Sequence, residues 1–155
     1  MLGRVRACNA SDNCPMRSSL SSLLANDGPV VSAILARLPN TMAIYAFGSQ
    51  VHGTACADSD LDLAVLVAGY ADALTLWDLA GSLADMVCSH VDLLDLRAAS
   101  TVMQYQVITT GERLWSVGLQ AGLFECYVLS EKTDLDRARA PLLTDILSTG
   151  KIYAR

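Results

Sequence analysis

Residues 47–67 read Phe47-Gly-Ser-Gln-Val-His-Gly-Thr-Ala-Cys-Ala-Asp-Ser-Asp-Leu-Asp-Leu-Ala-Val-Leu-Val67, and the rest of the chain is organised around them. The five residues 43–47 are apolar and partly β-branched or aromatic, which predicts a short buried strand. Residues 61–67 have the same character and predict a second buried strand. Between the two strands stand Gly48-Ser49, ten further residues, and then Asp60-x-Asp62.

The spacing of these polar residues indicates chemistry on phosphate. Glycine allows a sharp turn and a close approach, and Ser49 is suited to cap a short helix over about residues 50–55. The N-terminus of such a helix offers free N–H groups to a phosphate. Asp60 and Asp62 share one face of the second strand, about 7 Å apart at Cα, because side chains alternate along a strand. Two carboxylates this close repel each other, so the pattern predicts a hard cation between them, and Mg²⁺ is the usual one at phosphate chemistry.

This pattern resembles that of the polymerase-β-like nucleotidyltransferases, and most closely that of their small prokaryotic members, the minimal nucleotidyltransferases (MNT proteins). Gly48-Ser49, Gly53 and Ser59-Asp60-x-Asp62-Leu63 fall in the register of that family, and the resemblance runs from about residue 29 to the C-terminus. It implies an ATP substrate and two Mg²⁺ ions. MNT proteins are usually encoded beside a HEPN-domain toxin and act as the antitoxin of that pair.

A third acidic residue follows in the predicted strand over residues 90–96. Asp92 and Asp95 are three positions apart, an odd spacing, so they point to opposite faces of a strand. The family carries its third carboxylate in a Val-Asp-Leu strand of this kind, and Asp92 matches it, whereas Asp95 is expected to be exposed or to act as a cap. The resemblance therefore implies catalysis and metal binding by Asp60, Asp62 and Asp92. It implies nucleotide binding by Gly48, Ser49 and Ser59.

The sequence departs from the family at two positions. The family commonly has arginine where this chain has Gln50 and His52. Both side chains can hydrogen-bond a phosphate, but neither carries a fixed positive charge at neutral pH. Two interpretations of His52 stay open: a general base, or a surface or phosphate-adjacent residue.

Composition excludes several other classes of protein. A length of 155 residues with 52% hydrophobic and 17% charged residues indicates one folded domain rather than disorder. The formal net charge of −5 argues against direct binding of nucleic acid. No apolar run is long enough to span a membrane, and the N-terminus lacks the apolar stretch of a signal peptide. Five scattered cysteines without a Cys-x-x-Cys pair indicate reduced thiols in the cytoplasm and no zinc site.

The remaining sequence predicts an α/β domain with a three- to four-stranded mixed sheet flanked by helices. Residues 1–15 are expected to form a disordered tail, and residues 16–155 a single nucleotidyltransferase domain with its core over about 29–116. Helices are predicted over residues 16–25, 30–38, 70–88 and 100–110, with a short edge strand at 112–115. Two C-terminal helices are expected within residues 119–150, separated at Pro141. Their apolar residues can be buried in the domain or can serve a partner or a homodimer.

Together these features predict a Mg²⁺-dependent enzyme that transfers a nucleotide. The resemblance alone implies that it transfers AMP from ATP to a hydroxyl acceptor. That acceptor would be a tyrosine of the cognate HEPN toxin. Two alternatives stay open: an antitoxin that neutralises its toxin by binding, and a nucleotidyltransferase that modifies a small molecule such as an aminoglycoside. The second would normally need a further domain to hold its acceptor, and 155 residues leave little room for one.

Overall fold

Four strands form one mixed sheet at the centre of the protein. The structure, a computed structural model, describes residues 20–49, 51 and 59–150. The strands lie in the order β3-β2-β1-β4. Their bounds are Thr41–Phe47 (β1), Leu61–Val67 (β2), Val91–Asp95 (β3) and Glu112–Ser116 (β4). The helices are Leu20–Leu23 (α1), Pro29–Arg37 (α2), Ala73–Val87 (α3), Thr101–Thr110 (α4) and Gln120–Thr149 (α5).

The topology follows from the connections between the strands. β1 pairs with β2 and with β4 in antiparallel orientation, whereas β2 and β3 are parallel and α3 forms the crossover between them. The side chain of Asp72 caps the start of α3 by accepting a hydrogen bond from the Thr75 N–H at 2.9 Å. The predicted mixed sheet with flanking helices is therefore confirmed, and β4 lies at the predicted edge. The predicted tail over residues 1–15 lies outside the described residues.

Both faces of the sheet are covered by apolar side chains. On one face, α2 and α3 pack against alternate residues of the strands, including Ile44, Leu63 and Val65. On the other face, α4 and α5 pack against residues of the opposite parity, including Tyr45 and Leu66. β1 and β2 are buried on both sides, which explains why their sequences read as continuous apolar runs.

The C-terminal segment differs from the prediction, because α5 is one helix of 30 residues that runs through Pro141. A proline inside a helix removes one hydrogen bond and crowds the preceding turn. Pro141 lies on an exposed part of α5, and the helix continues on both sides of it. Only Ala121, Phe124 and Val128 of α5 are buried, so its first turns pack on the sheet and its second half does not.

Asp95 also differs from the prediction that it is exposed. The residue is 7% exposed and accepts hydrogen bonds from the backbone N–H groups of Ala71 and Arg97, each at 2.9 Å. Its carboxylate thus joins the loop before α3 to the turn after β3, and its expected capping role is confirmed. No helix in the described part of the chain is both long and apolar enough to cross a membrane.

Candidate active site

Two carboxylates lie side by side where β2 and β3 begin. In the parallel ladder between these strands, Asp62 is the direct partner of Asp92. On its other side, Asp62 pairs with Phe47, the last residue of β1. Neighbouring strands are about 4.8 Å apart, and paired residues of a parallel ladder project to the same face. The register therefore brings together two of the acidic residues predicted from the sequence, beside the residue that precedes Gly48-Ser49.

The alternation of side chains places this pair on the α4–α5 face of the sheet. Ala64 and Leu66 have the same parity as Asp62 along β2, and both contribute to the core on that face. Because the pair stands at the start of its strands, it lies at the margin of that core rather than within it. Asp62 is half-buried and Asp92 is exposed. A polar substrate can reach such a position without crossing the apolar interior.

Gly48 provides the space that the Asp62 carboxylate occupies. The residue has φ +78, a conformation that favours glycine, and a Cβ atom added to it would overlap the Asp62 carboxylate. The turn after β1 therefore has no side chain where it meets the carboxylate. This contact gives a physical reason for glycine in the Gly-Ser pair.

The electrostatics of the pair reflect like charges in close proximity. Burial raises the pKa of Asp62 above its ordinary value, and repulsion by Asp92 and then by Asp60 raises it further. The ionised form of Asp62 is thus disfavoured by its surroundings. A cation placed against these carboxylates would remove the repulsion.

Asp60 stands just before β2, and its two neighbours in the chain are tied to the segment that leads into β3. The Ser89 hydroxyl donates a hydrogen bond to the Ser59 carbonyl at 3.2 Å, and the Leu61 N–H donates to the His90 carbonyl at 2.9 Å. These two bonds fix the backbone on either side of Asp60 relative to the start of β3. Ser89 was not singled out by the sequence, since only the parallel register of β2 and β3 brings it beside Ser59.

Comparison with known proteins assigns the chain to a family. The pattern of the family described as polymerase beta nucleotidyltransferase matches residues 30–117, which is more than half of the chain. The chain belongs to this nucleotidyltransferase family. The resemblance stated from the Gly-Ser and Asp-x-Asp pattern is thereby confirmed.

Individual relatives within the family are similar over most of their length. The protein adenylyltransferase MntA of Shewanella oneidensis is 37% identical over 123 residues, which cover 79% of this chain and 88% of the relative. A crystal structure of a toxin–antitoxin complex with AMP-PNP matches with a TM-score of 0.71 and 37% identity, over 76% of this chain and 95% of that chain. A structure of tri-AMPylated Shewanella oneidensis HEPN toxin in complex with MNT antitoxin matches with a TM-score of 0.67 and 34% identity, over 79% and 96%.

The donor set of this candidate site fits a hard cation such as Mg²⁺. Within residues 20–49, 51 and 59–150, no three His, Cys, Asp or Glu side chains are gathered closely enough to hold a metal ion by themselves. Mg²⁺ at phosphate sites is commonly held by one or two carboxylates together with the phosphates of the substrate. The adjacent, mutually repelling carboxylates of Asp62 and Asp92 suit that arrangement.

The structure locates most of the residues predicted for the site. Gly48, Asp62 and Asp92 come together, and Asp60 is near enough to influence the charge on Asp62. Ser49 directly follows Gly48, and the carbonyl of Ser59 belongs to the tether on Ser89. Gln50, His52 and Gly53 lie outside the described residues, as does the predicted helix over 50–55 apart from residue 51. Their expected contacts with phosphate stay predictions.

Proposed function

We propose that this chain transfers AMP from ATP to a tyrosine hydroxyl of a HEPN-domain toxin, with Mg²⁺ bound at the Asp62–Asp92 pair, and that it thereby acts as an antitoxin. The observation that carries the proposal is the paired carboxylates beside Gly48 in a chain of the nucleotidyltransferase family. Two similar proteins support the acceptor class. MntA is a protein adenylyltransferase, and the toxin in the complex described above is AMPylated.

The residues of the site would have different roles in the transfer. Asp62 and Asp92, with Asp60 beside them, would hold Mg²⁺ together with the substrate phosphates, and the ion supplies positive charge to the triphosphate and the departing pyrophosphate when it is bound. The backbone N–H groups at Gly48 and Ser49 are suited to orient the β- and γ-phosphates. The attacking hydroxyl oxygen forms a bond to the α-phosphorus while the bond from that phosphorus to the β-phosphate oxygen breaks. Asp92, the most accessible carboxylate of the pair, accepts the hydroxyl proton.

The tethers around Asp60 contribute to catalysis by keeping the site in position. A catalytic group displaced by about 1 Å can lower the rate by two orders of magnitude. Asp62 is fixed by ladder pairing on both sides, whereas Asp60 precedes the strand and depends on the bonds made by Ser59 and Leu61. The sheet and these tethers thus define where the substrate phosphates can bind.

We assign the protein to the cytoplasm. ATP is available there, and the two cysteines in the described part of the chain, Cys88 and Cys126, are exposed thiols, which suits a reducing compartment.

Transfer of label from ATP tests the proposal. The purified chain is incubated with α-³²P-ATP, Mg²⁺ and its cognate HEPN-domain toxin. The wild type and Asp27→Asn, which removes one exposed carboxylate outside the site, are expected to label a tyrosine of the toxin. Asp62→Asn is expected to lower labelling by at least two orders of magnitude. Equal labelling by Asp62→Asn and Asp27→Asn would contradict the assignment of the site.

An antitoxin that acts only by binding is the second candidate. It is favoured by Gln50 and His52, which stand where the family commonly has arginine. Calorimetric titration of ATP with Mg²⁺ separates the two candidates. The proposed enzyme binds ATP in a metal-dependent manner that Asp60→Asn/Asp62→Asn removes. A chain that neutralises the toxin without binding ATP or transferring label supports the second candidate.

A further inference from the structure

The outward stripe of α3, defined here as Leu74, Trp77, Asp78 and Asp85, combines large apolar side chains with acidic ones. Trp77 and Asp78 follow Leu74 by three and four residues, and Asp85 follows Asp78 by seven. These spacings place all four side chains on one face of the helix. That face is opposite the buried side chains Leu76, Leu79 and Leu83. Leu74 is 73% exposed and Trp77 is 75% exposed, whereas a structural role in this domain would bury them. Exposed tryptophan is typical of the centre of a binding surface.

The charge of the chain is concentrated in the part that contains this stripe. Between Arg37 and Arg97 the sequence has eight aspartates and no lysine or arginine. The whole chain has 16 acidic and 11 basic residues, so the other segments carry eight acidic residues and all 11 basic ones. The stripe on α3 and the carboxylates of the site therefore belong to the same acidic segment of the sequence. Negative charge on a binding surface speeds the association of a positively charged partner.

The C-terminal end of α3 lies close to the segment that carries Asp60. α3 ends at Val87, and shortly after it Ser89 and His90 bind the residues on either side of Asp60. The 15 residues of α3 span about 20 Å at 1.5 Å per residue. β3, which carries Asp92, is an edge strand of the sheet, so no further strand separates this margin from solvent. The carboxylates project to the opposite face of the sheet from α3, so a protein bound along α3 would reach them by extending round the β3 edge.

We propose that the outward stripe of α3 is the docking surface for the acceptor protein, and that the acceptor presents a basic surface with apolar side chains to it. The inference deepens the proposed function and rests on it. A second copy of this chain fits the stripe poorly. A two-fold symmetric contact places the same patch on both subunits and would bring Asp78 and Asp85 of one copy against their equivalents. The exposed leucines of α5 are a weaker candidate surface for a basic partner, because that helix carries both acidic and basic residues rather than acidic ones alone.

Binding of the cognate HEPN-domain toxin to variants of this chain tests the proposal. Leu74→Ser/Trp77→Ser is expected to weaken the affinity at least about 30-fold, since truncation of central aromatic residues has effects of that size. The matched control is Leu143→Ser/Leu147→Ser, which removes two exposed apolar side chains from α5 and is expected to change the affinity less than threefold. Mg²⁺–ATP binding by the α3 variant confirms that it is folded.

Wild-type affinity in the α3 variant would overturn the inference, as would a loss of affinity in the α5 control alone. A change in oligomeric state of the α3 variant without a change in affinity would assign the stripe to a second copy and overturn it as well. Absence of any binding between the wild type and the toxin would also overturn the inference.

The acidic residues are tested through the rate of association. Asp78→Asn/Asp85→Asn is expected to lower the association rate and to flatten its dependence on salt, because both residues are exposed and act over distance. An unchanged rate and salt dependence would contradict the charge argument.

Asp62→Asn separates this inference from the proposed function. The variant is expected to bind the acceptor with wild-type affinity and to transfer no label. Binding without label transfer by the wild type would contradict the proposed function alone.

Discussion

Replacing Gly48 with alanine provides a test of the geometry on which the site depends. The residue has φ +78, and alanine in that conformation costs roughly 1–2 kcal/mol. The added Cβ would also occupy space taken by the Asp62 carboxylate. Asp62 cannot withdraw by moving its backbone, since it is paired with Phe47 on one side and Asp92 on the other. Its carboxylate must therefore rotate away from the turn.

Gly69→Ala is the matched control, because Gly69 has a similar φ of +86 but no atom within 4 Å of the added Cβ. Both variants are expected to lose roughly 1–2 kcal/mol of unfolding free energy in urea denaturation. Only Gly48→Ala is expected to weaken Mg²⁺–ATP binding, by about tenfold or more, in calorimetric titration. Because the two substitutions share the backbone cost, the difference in ATP affinity measures the displacement of Asp62. Equal ATP affinities for the two variants would refute the proposed contact between the Gly48 turn and the carboxylate.

Three further predictions concern contacts away from Gly48. Ser89→Ala removes the hydrogen bond to the Ser59 carbonyl and is expected to weaken Mg²⁺–ATP binding about tenfold. The control Ser82→Ala loses a serine-to-carbonyl bond within α3 and should leave ATP affinity unchanged, so equal calorimetric affinities of the two variants would contradict the role of the Ser89 bond. Burial and the hydrogen bond to a glutamate raise the pKa of Tyr45, so the folded protein keeps the phenol proton above pH 10 while the unfolded chain releases it. Above pH 10 the unfolding free energy should fall by up to about 1.4 kcal/mol per pH unit, and the unfolding free energy of Tyr45→Phe, measured by urea denaturation, should not show this fall. Ser100→Ala removes the cap that accepts a 3.3 Å hydrogen bond at the start of α4 and is expected to lower the unfolding free energy by about 1 kcal/mol. An unchanged denaturation midpoint would show that the cap contributes nothing to stability.

Local patterns were sufficient for most of the elements. The apolar runs that lead into and out of residues 48–60 form β1 and β2, and Pro29 begins a helix as predicted. The pairing of Asp62 with Asp92 depends on the parallel register of β2 and β3, which spacing along the chain does not contain. The family resemblance supplied that connection, and the structure provides its physical basis.

The sequence leaves an outcome undecided, or predicts it wrongly, where a local signal competes with tertiary contacts. For Asp95 it leaves exposure and capping both open, and the N–H groups of Ala71 and Arg97 decide for capping because they give its carboxylate partners inside the fold. Pro141 is a helix-breaking signal, yet the turns of α5 on both sides of it outweigh one missing hydrogen bond. Neither outcome can be read from the residue itself, since each depends on groups that are distant in sequence or on the length of the surrounding helix.

The site is assembled from three separate pieces of the chain: the end of β1, the start of β2 and the turn before β3. A ligand that contacts all three acts as a cross-link between the β1–β2 hairpin and the β2–α3–β3 unit. Any ligand that binds only the folded state adds its binding free energy to stability, about 2.7 kcal/mol at a concentration one hundred times its Kd. The proposed nucleotide site therefore predicts that the resistance of this chain to unfolding and to proteolysis rises with the nucleotide concentration around it, even when no acceptor is present.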